Sequence, residues 1–198
     1  MLRTTGFAAF LLGGALAAMP AFSQETGRSE VSVQAFGSFV KTTTQDGIQQ
    51  GATNSGGVLA NYRFFFSNHH GVEVNYGYSL NTQTYGLPAG PLGVKANQHE
   101  VTAAYVYRHP LRAFTPFVEA GVGGIVFDPK DAVGTTTQSR AAFVYGAGAD
   151  INLTSRLFVR AEYRGLVYNS PTFELTPAQG TDRLSHRAEP SVGFGYRF

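Results

Sequence analysis

From position 31 onward, apolar and polar residues alternate one by one in segments separated by stretches rich in Gly, Pro, Asn, Ser and Thr. A period of two belongs to β-strands whose faces meet different surroundings. It predicts eight strands, over 31–40, 57–66, 72–81, 97–108, 114–127, 140–152, 157–168 and 186–198. Beyond the N-terminal segment no stretch carries a 3.6-residue apolar period, and glycines inside the segments argue further against helix. The connections alternate in length. Those at 67–71, 109–113 and 153–156 are short, whereas 41–56, 82–96, 128–139 and 169–185 are longer and polar.

The two faces differ in kind. In 157–167 the odd positions are Leu157, Val159, Ala161, Tyr163, Gly165 and Val167, and the even ones include Arg160, Glu162 and Arg164. Val72, Val74, Tyr76, Tyr78 and Leu80 alternate with Glu73, Asn75, Gly77 and Ser79, and Val192, Phe194, Tyr196 and Phe198 alternate with Ser191, Gly193, Gly195 and Arg197. A half-buried soluble strand alternates too. Two features set this chain apart. The apolar faces end in aromatics, with Tyr62, Phe64, Phe66, Tyr105, Tyr107, Tyr196 and Phe198 toward one rim and Tyr76, Tyr78, Phe143 and Tyr145 toward the other, as girdles at membrane interfaces do. The polar faces nearly balance in charge: Arg63, Arg108, Arg160, Arg164 and Arg197 stand against Glu73, Glu100, Glu119, Asp150, Glu162 and Glu189. The fold expected is all-β, an eight-stranded antiparallel up-and-down transmembrane β-barrel, short-turned at one end and long-looped at the other. Eight strands leave an interior just wide enough for side chains, so these residues form a structural network inside it. Register is least defined at Gly123-Gly124, where a bulge fits, and around Pro190.

Composition narrows the function classes. Of 198 residues only 14% are charged, against roughly 25% in ordinary globular domains, while Phe and Tyr number 16 and 10. Disordered chains show the opposite balance. Zero cysteines excludes disulfides, thiolate metal sites and a catalytic thiol. A formal charge of +2 provides no field for nucleic acid. The first residues read as an export signal: Arg3, then the apolar run 7–19, then Pro20-Ala21-Phe22-Ser23 with small residues at the cleavage-site positions. Residues 1–23 are therefore expected to be removed, leaving 24–198 as the barrel domain. The run is shorter than the ~20 residues of a spanning helix.

The last residues, Gly193-Phe194-Gly195-Tyr196-Arg197-Phe198, carry a resemblance. Glycine, two residues, an aromatic, one residue and a terminal Phe is similar to the signal read by the barrel-assembly machinery, with Gly193, Tyr196 and Phe198 in its defining places. Val192 stands where that signal usually has a polar residue. With the strand pattern, the chain resembles the small outer-membrane barrels of the OmpX and OmpA transmembrane-domain superfamily. The resemblance implies the outer membrane as location, termini in the periplasm, loops facing outward, and no OmpA-type peptidoglycan-binding domain. It also implies outer-membrane lipid, lipopolysaccharide and the assembly machinery as partners, with a surface ligand held by the loops.

Candidate chemistry is sparse. His69-His70 offers paired imidazoles with Glu73 nearby, but a polar turn is the simpler reading. Ser185, His186 and Glu189 suggest a hydrolytic triad, yet adjacent strand residues point to opposite faces, and the His-x-Ser triplet of outer-membrane lipid A deacylases does not occur. Asp128 and Asp131 are too few oxygens for a hard cation. In the loops, Asp46-Gly47 and Gly56-Gly57 mark turns, and Leu87 and Leu92 are exposed apolar residues of the ordinary kind. No catalytic, cofactor or metal residue is assigned. The function expected is a structural or surface-interaction barrel with an ion-paired lumen. The alternatives are a narrow pore, a lipid-modifying enzyme, or a soluble lipocalin-like barrel with its apolar face inward.

Overall fold

A computed structural model describes residues 28–45, 48–87, 90–130, 136–171 and 184–198; side chains are described except within 43–50 and 85–92. The expected signal peptide, Asp46-Gly47, Asp131 and the side chains of Leu87 and Leu92 lie outside these residues. Among the described residues ten strands form one antiparallel sheet: β1 (Ser29–Val40), β2 (Thr43–Gln45), β3 (Ile48–Ala52), β4 (Ser55–Phe65), β5 (His70–Leu87), β6 (Gly90–Arg108), β7 (Phe114–Pro129), β8 (Gln138–Asn152), β9 (Leu157–Asn169) and β10 (Leu184–Arg197). Eight of them make the wall, in the order β1-β4-β5-β6-β7-β8-β9-β10, and β10 pairs back onto β1. The barrel is closed, and each wall strand pairs with a neighbour on both sides over most of its length. At the seam Ser29 N donates to Phe198 O (3.2 Å) and Phe198 N to Ser29 O (2.9 Å). The three short turns lie at this same end.

All eight expected strands are present, and the differences concern their ends. The segment 82–96, expected as a loop because of its Gly and Pro residues, is almost wholly paired: the β5–β6 ladder runs unbroken from His70↔Tyr107 to Leu87↔Gly90. Polar residues at the base of this stretch bond one another, with Gln98 Nε2 donating to Asn81 Oδ1 (2.7 Å) and Gln83 Nε2 to the same oxygen (3.0 Å). Part of 41–56 is likewise ordered, as the small β2–β3 hairpin whose β3 continues the sheet along β5. Gly123-Gly124 holds no bulge; the ladders on both sides pass through it in constant register. At Pro190 the β1–β10 ladder skips two pairs and resumes in the same register, as a residue without N–H requires.

The alternation places the faces as expected. Val122 is 65% exposed and Phe194 70%, whereas Arg160 and Arg164 are 0% exposed. The outer face is thus an apolar belt, and no helix among the described residues is long and apolar enough to cross a membrane. Inside, some positions admit no side chain at all. A Cβ on Gly193 would lie 2.0 Å from Val33 O and 2.5 Å from Gln34 Cα, and one on Gly121 2.1 Å from Ala103 O. Neighbouring strands approach so closely there that only glycine fits. At Gly124 the nearest atom, Arg140 O, would be 3.6 Å away. Accordingly Gly193→Val is expected to prevent folding, seen as loss of the heat-dependent shift in gel mobility, while Gly124→Ala folds normally.

Candidate functional site: the charged lumen

The lumen is built from the inward parity of every wall strand. Glu30 comes from β1, Arg63 from β4, Glu73 from β5, Glu100 from β6, Glu119 from β7, Asp150 from β8, Arg160, Glu162 and Arg164 from β9, and Arg187 and Glu189 from β10; all are at most 5% exposed. Three linked groups form. Nearest the turn end, Glu30 receives Arg108 (2.7 Å), Arg197 (2.8 Å) and Arg160 (3.1 Å). Arg160 also makes a two-pronged pair with Asp150, Nε donating to Oδ1 at 2.6 Å and Nη2 to Oδ2 at 2.8 Å. In the middle, Arg63 bonds Glu73 and reaches Glu119 (3.1 Å) and Glu162 (3.5 Å). Arg160 lies 3.8 Å from Glu73, joining the first two groups. Toward the loop end, Arg164 contacts Glu100 (2.6 Å), Glu189 (3.2 Å) and Glu119 (3.5 Å), and Arg187 pairs with Glu100 and with Glu189 (2.7 Å).

Neutral groups complete the network. Gln34 Nε2 donates to Glu162 Oε2 (3.1 Å), Asn75 Nδ2 to Glu73 Oε1 (2.6 Å), and Arg164 Nη2 to Thr102 Oγ1 (3.1 Å). Aromatic rings flank the guanidiniums: Arg63 lies over Phe117 at 3.9 Å, Arg108 over Phe65 at 3.4 Å, and Arg197 over Phe158 at 4.9 Å. Such stacking suits a weakly hydrated planar cation held away from water. Toward the loop end the inward residues of β6 to β9 include an apolar cluster of Val94, Ala96, Ile125, Phe127, Ala142, Val144, Leu166 and Tyr168, beside buried Asn81, Gln83, Gln98 and Ser185.

Every residue assigned to the lumen from the sequence, Arg63, Glu73, Glu100, Arg108, Glu119, Asp150, Arg160, Glu162, Arg164, Glu189 and Arg197, takes part in these ion pairs. Glu30 and Arg187 were missed. Carrying the parity of Val31 and Val33 back by one residue reaches Glu30, and the parity that puts Val192 and Phe194 outside puts Arg187 inside. Gly193 is the close approach described above, and Tyr196 stacks on Phe198 (6.3 Å) at the turn-end rim.

The weaker candidates separate. Glu73 is committed to Arg63 and cannot join His69-His70; His69 instead lies beside His109 and Tyr107. Ser185 points inward, 2.5 Å from Ser170 Oγ, while the His186 ring bonds the Tyr145 hydroxyl outside (2.7 Å). Glu73, Glu119 and Glu162 bring carboxylate oxygens within 4.8 Å of one another, but the guanidinium of Arg63 already contacts all three.

A closed eight-stranded barrel with an apolar outer belt, aromatic rims and its charges turned inward is a small outer-membrane barrel protein. The sequence profile of the outer membrane protein beta-barrel domain matches residues 8–198, and the chain belongs to this family. Among curated proteins it is similar to the 25 kDa outer-membrane immunogenic protein of Brucella abortus, 26% identical over 129 residues. That alignment covers 65% of this chain and 58% of the relative, so the chain matches little more than half of that protein's length. Among solved structures it shares its fold with Neisserial surface protein A (TM-score 0.64, 13% identity, 88% of this chain and 100% of the other). It shares it also with OprG from Pseudomonas aeruginosa (0.60, 17%, 88% and 97%). The protein is located in the outer membrane.

Because Arg164 faces three carboxylates, Arg164→Met is expected to lower stability by about 3–5 kcal/mol, the effect of stranding buried charges. The exposed Arg156→Met changes it by less than about 0.5 kcal/mol, as surface substitutions usually do. Denaturant unfolding in lipid vesicles reads both.

Proposed function

We propose that this chain is a non-conducting outer-membrane barrel, a structural or surface-interaction protein that meets other molecules through its loop end. The observation that carries this reading is the span of the ion-pair network from wall to wall. Arg63 on β4 contacts carboxylates of β5, β7 and β9, and Arg164 on β9 contacts those of β6, β7 and β10. An ion crossing the lumen would have to break several of these contacts at once and then pass the apolar cluster beyond them. In this reading the termini and short turns lie in the periplasm, residues 1–23 are a cleaved signal, and Gly193, Tyr196 and Phe198 are read by the barrel-assembly machinery. The belt is solvated by outer-membrane lipid and lipopolysaccharide, and the long β5–β6 hairpin extends toward the outside as the surface for a ligand. The attachment invasion locus protein Ail of Yersinia pestis, of the same fold (TM-score 0.54, 20% identity, 88% of this chain and 100% of the other), was crystallised with the heparin analogue sucrose octasulfate. That supports reading such barrels as binding proteins. The protein is proposed to be no enzyme and to bind no cofactor, metal or nucleic acid.

In planar bilayers the purified protein is expected to give no steady conductance steps, and the double variant Arg160→Ala/Arg164→Ala is expected to show them if it folds. Regular steps from the unaltered protein would favour the narrow-pore reading. Release of fatty acid from purified lipopolysaccharide would favour the enzyme.

A further inference from the structure

Among the described residues the two ends of the barrel differ in exposed charge. At the turn end Arg28, His69, His109, Arg112 and Arg156 are exposed. The carboxylate side chains of the strands at that end, Glu30, Glu73, Glu119 and Asp150, are all turned into the lumen and at most 5% exposed. At the loop end, the exposed Lys41, Lys95 and Lys130 share the rim with the half-buried Asp128. The turn-end histidines and Arg156 are also positioned. Ser67 Oγ accepts from the backbone N–H of His69 (3.3 Å) and His70 (3.0 Å), fixing the first turn. His109 N donates to Pro116 O (2.9 Å), fixing the second. This sets the His69 and His109 rings 5.9 Å apart, with His69 stacked on Tyr107 at 6.1 Å. On the third turn Arg156 Nη1 donates to the Tyr196 hydroxyl (3.2 Å). Arg108, between the first two, points inward to Glu30 and adds nothing to this surface.

Aromatic girdles mark the headgroup level of a membrane, so the His69 ring against Tyr107 and the Arg156 guanidinium on Tyr196 lie at the height of lipid phosphates. We infer that the turn end carries a binding surface for anionic phospholipid headgroups, formed by His69, His109, Arg112 and Arg156. It rests on the membrane-barrel reading above. Imidazole N–H groups and guanidiniums donate to phosphate oxygens, and among the described residues no carboxylate side chain is exposed at this end to oppose Arg112 and Arg156. Zwitterionic lipid offers the same phosphate with its charge cancelled, so the surface discriminates by net charge.

The test uses the protein in phosphatidylcholine vesicles carrying spin-labelled phosphatidylglycerol or spin-labelled phosphatidylcholine, reading the fraction of each probe immobilised at the barrel. Phosphatidylglycerol is expected to associate roughly fivefold more strongly, the effect of ~1 kcal/mol from one basic group at an anionic surface. The preference is expected to fall toward unity at high salt. It is expected to disappear in H69Q/H109Q/R112Q/R156Q and to persist in K95Q/K130Q. Equal association of the two probes with the unaltered protein, or a preference unchanged in the quadruple variant, overturns the inference. Should that variant not fold, R112Q and R156Q alone each reduce the preference, or the inference fails. No immobilised lipid of either kind and no heat-dependent gel shift would instead count against the membrane barrel itself.

Discussion

Four guanidiniums, on Arg63, Arg160, Arg164 and Arg187, have almost no contact with water, and the rest of the structure is arranged to make that tolerable. A buried charge without partners is costly enough to unfold a domain, and pairing offsets this only when the geometry is good. Good geometry here means carboxylates converging from every wall strand but β4. The network therefore specifies more than a filled interior. It states which strand faces which across the barrel, since Arg164 on β9 finds Glu100 only if β6 stands opposite it.

The same requirement sets the register. Sliding a strand by one residue exchanges its faces. For β9 that would move Arg160 and Arg164 toward lipid and Tyr163 and Val159 into the charged lumen. Each arginine would then cost ~2–4 kcal/mol near the membrane midplane. The glycines serve the same end. Gly121 and Gly193 let neighbouring backbones approach where a Cβ would collide, and so leave the limited interior volume to the long side chains. Phe65, Phe117 and Phe158 fill the space around the guanidiniums that water would otherwise take.

How far the sequence revealed this depends on contrast between faces. In β9 each arginine or glutamate sits between apolar neighbours, so both strand and sidedness could be read directly. Glu30 stands near the start of β1, one residue before the visible alternation, and Arg187 follows a histidine on the outer face, so neither stood out. The apolar cluster toward the loop end was hidden for the same reason. In β7, Val122 and Val126 face outward while Ile125 and Phe127 face inward, and a period of two has no sign when both faces are apolar. The β5–β6 hairpin was obscured by Gly86, Pro88, Gly90, Pro91 and Gly93, which locally resemble a loop. Pairing along the whole ladder outweighs that local preference.

The central claim, that paired charges inside the lumen hold the barrel together, is tested most directly by a double-mutant cycle on Arg160 and Asp150. Unfolding free energies in vesicles would be compared for the unaltered protein, Arg160→Met, Asp150→Asn and the double variant. The account predicts strong coupling, the double variant being more stable than the two single effects summed by about 2 kcal/mol or more, within the range for residues sharing one network. Simple additivity would contradict it.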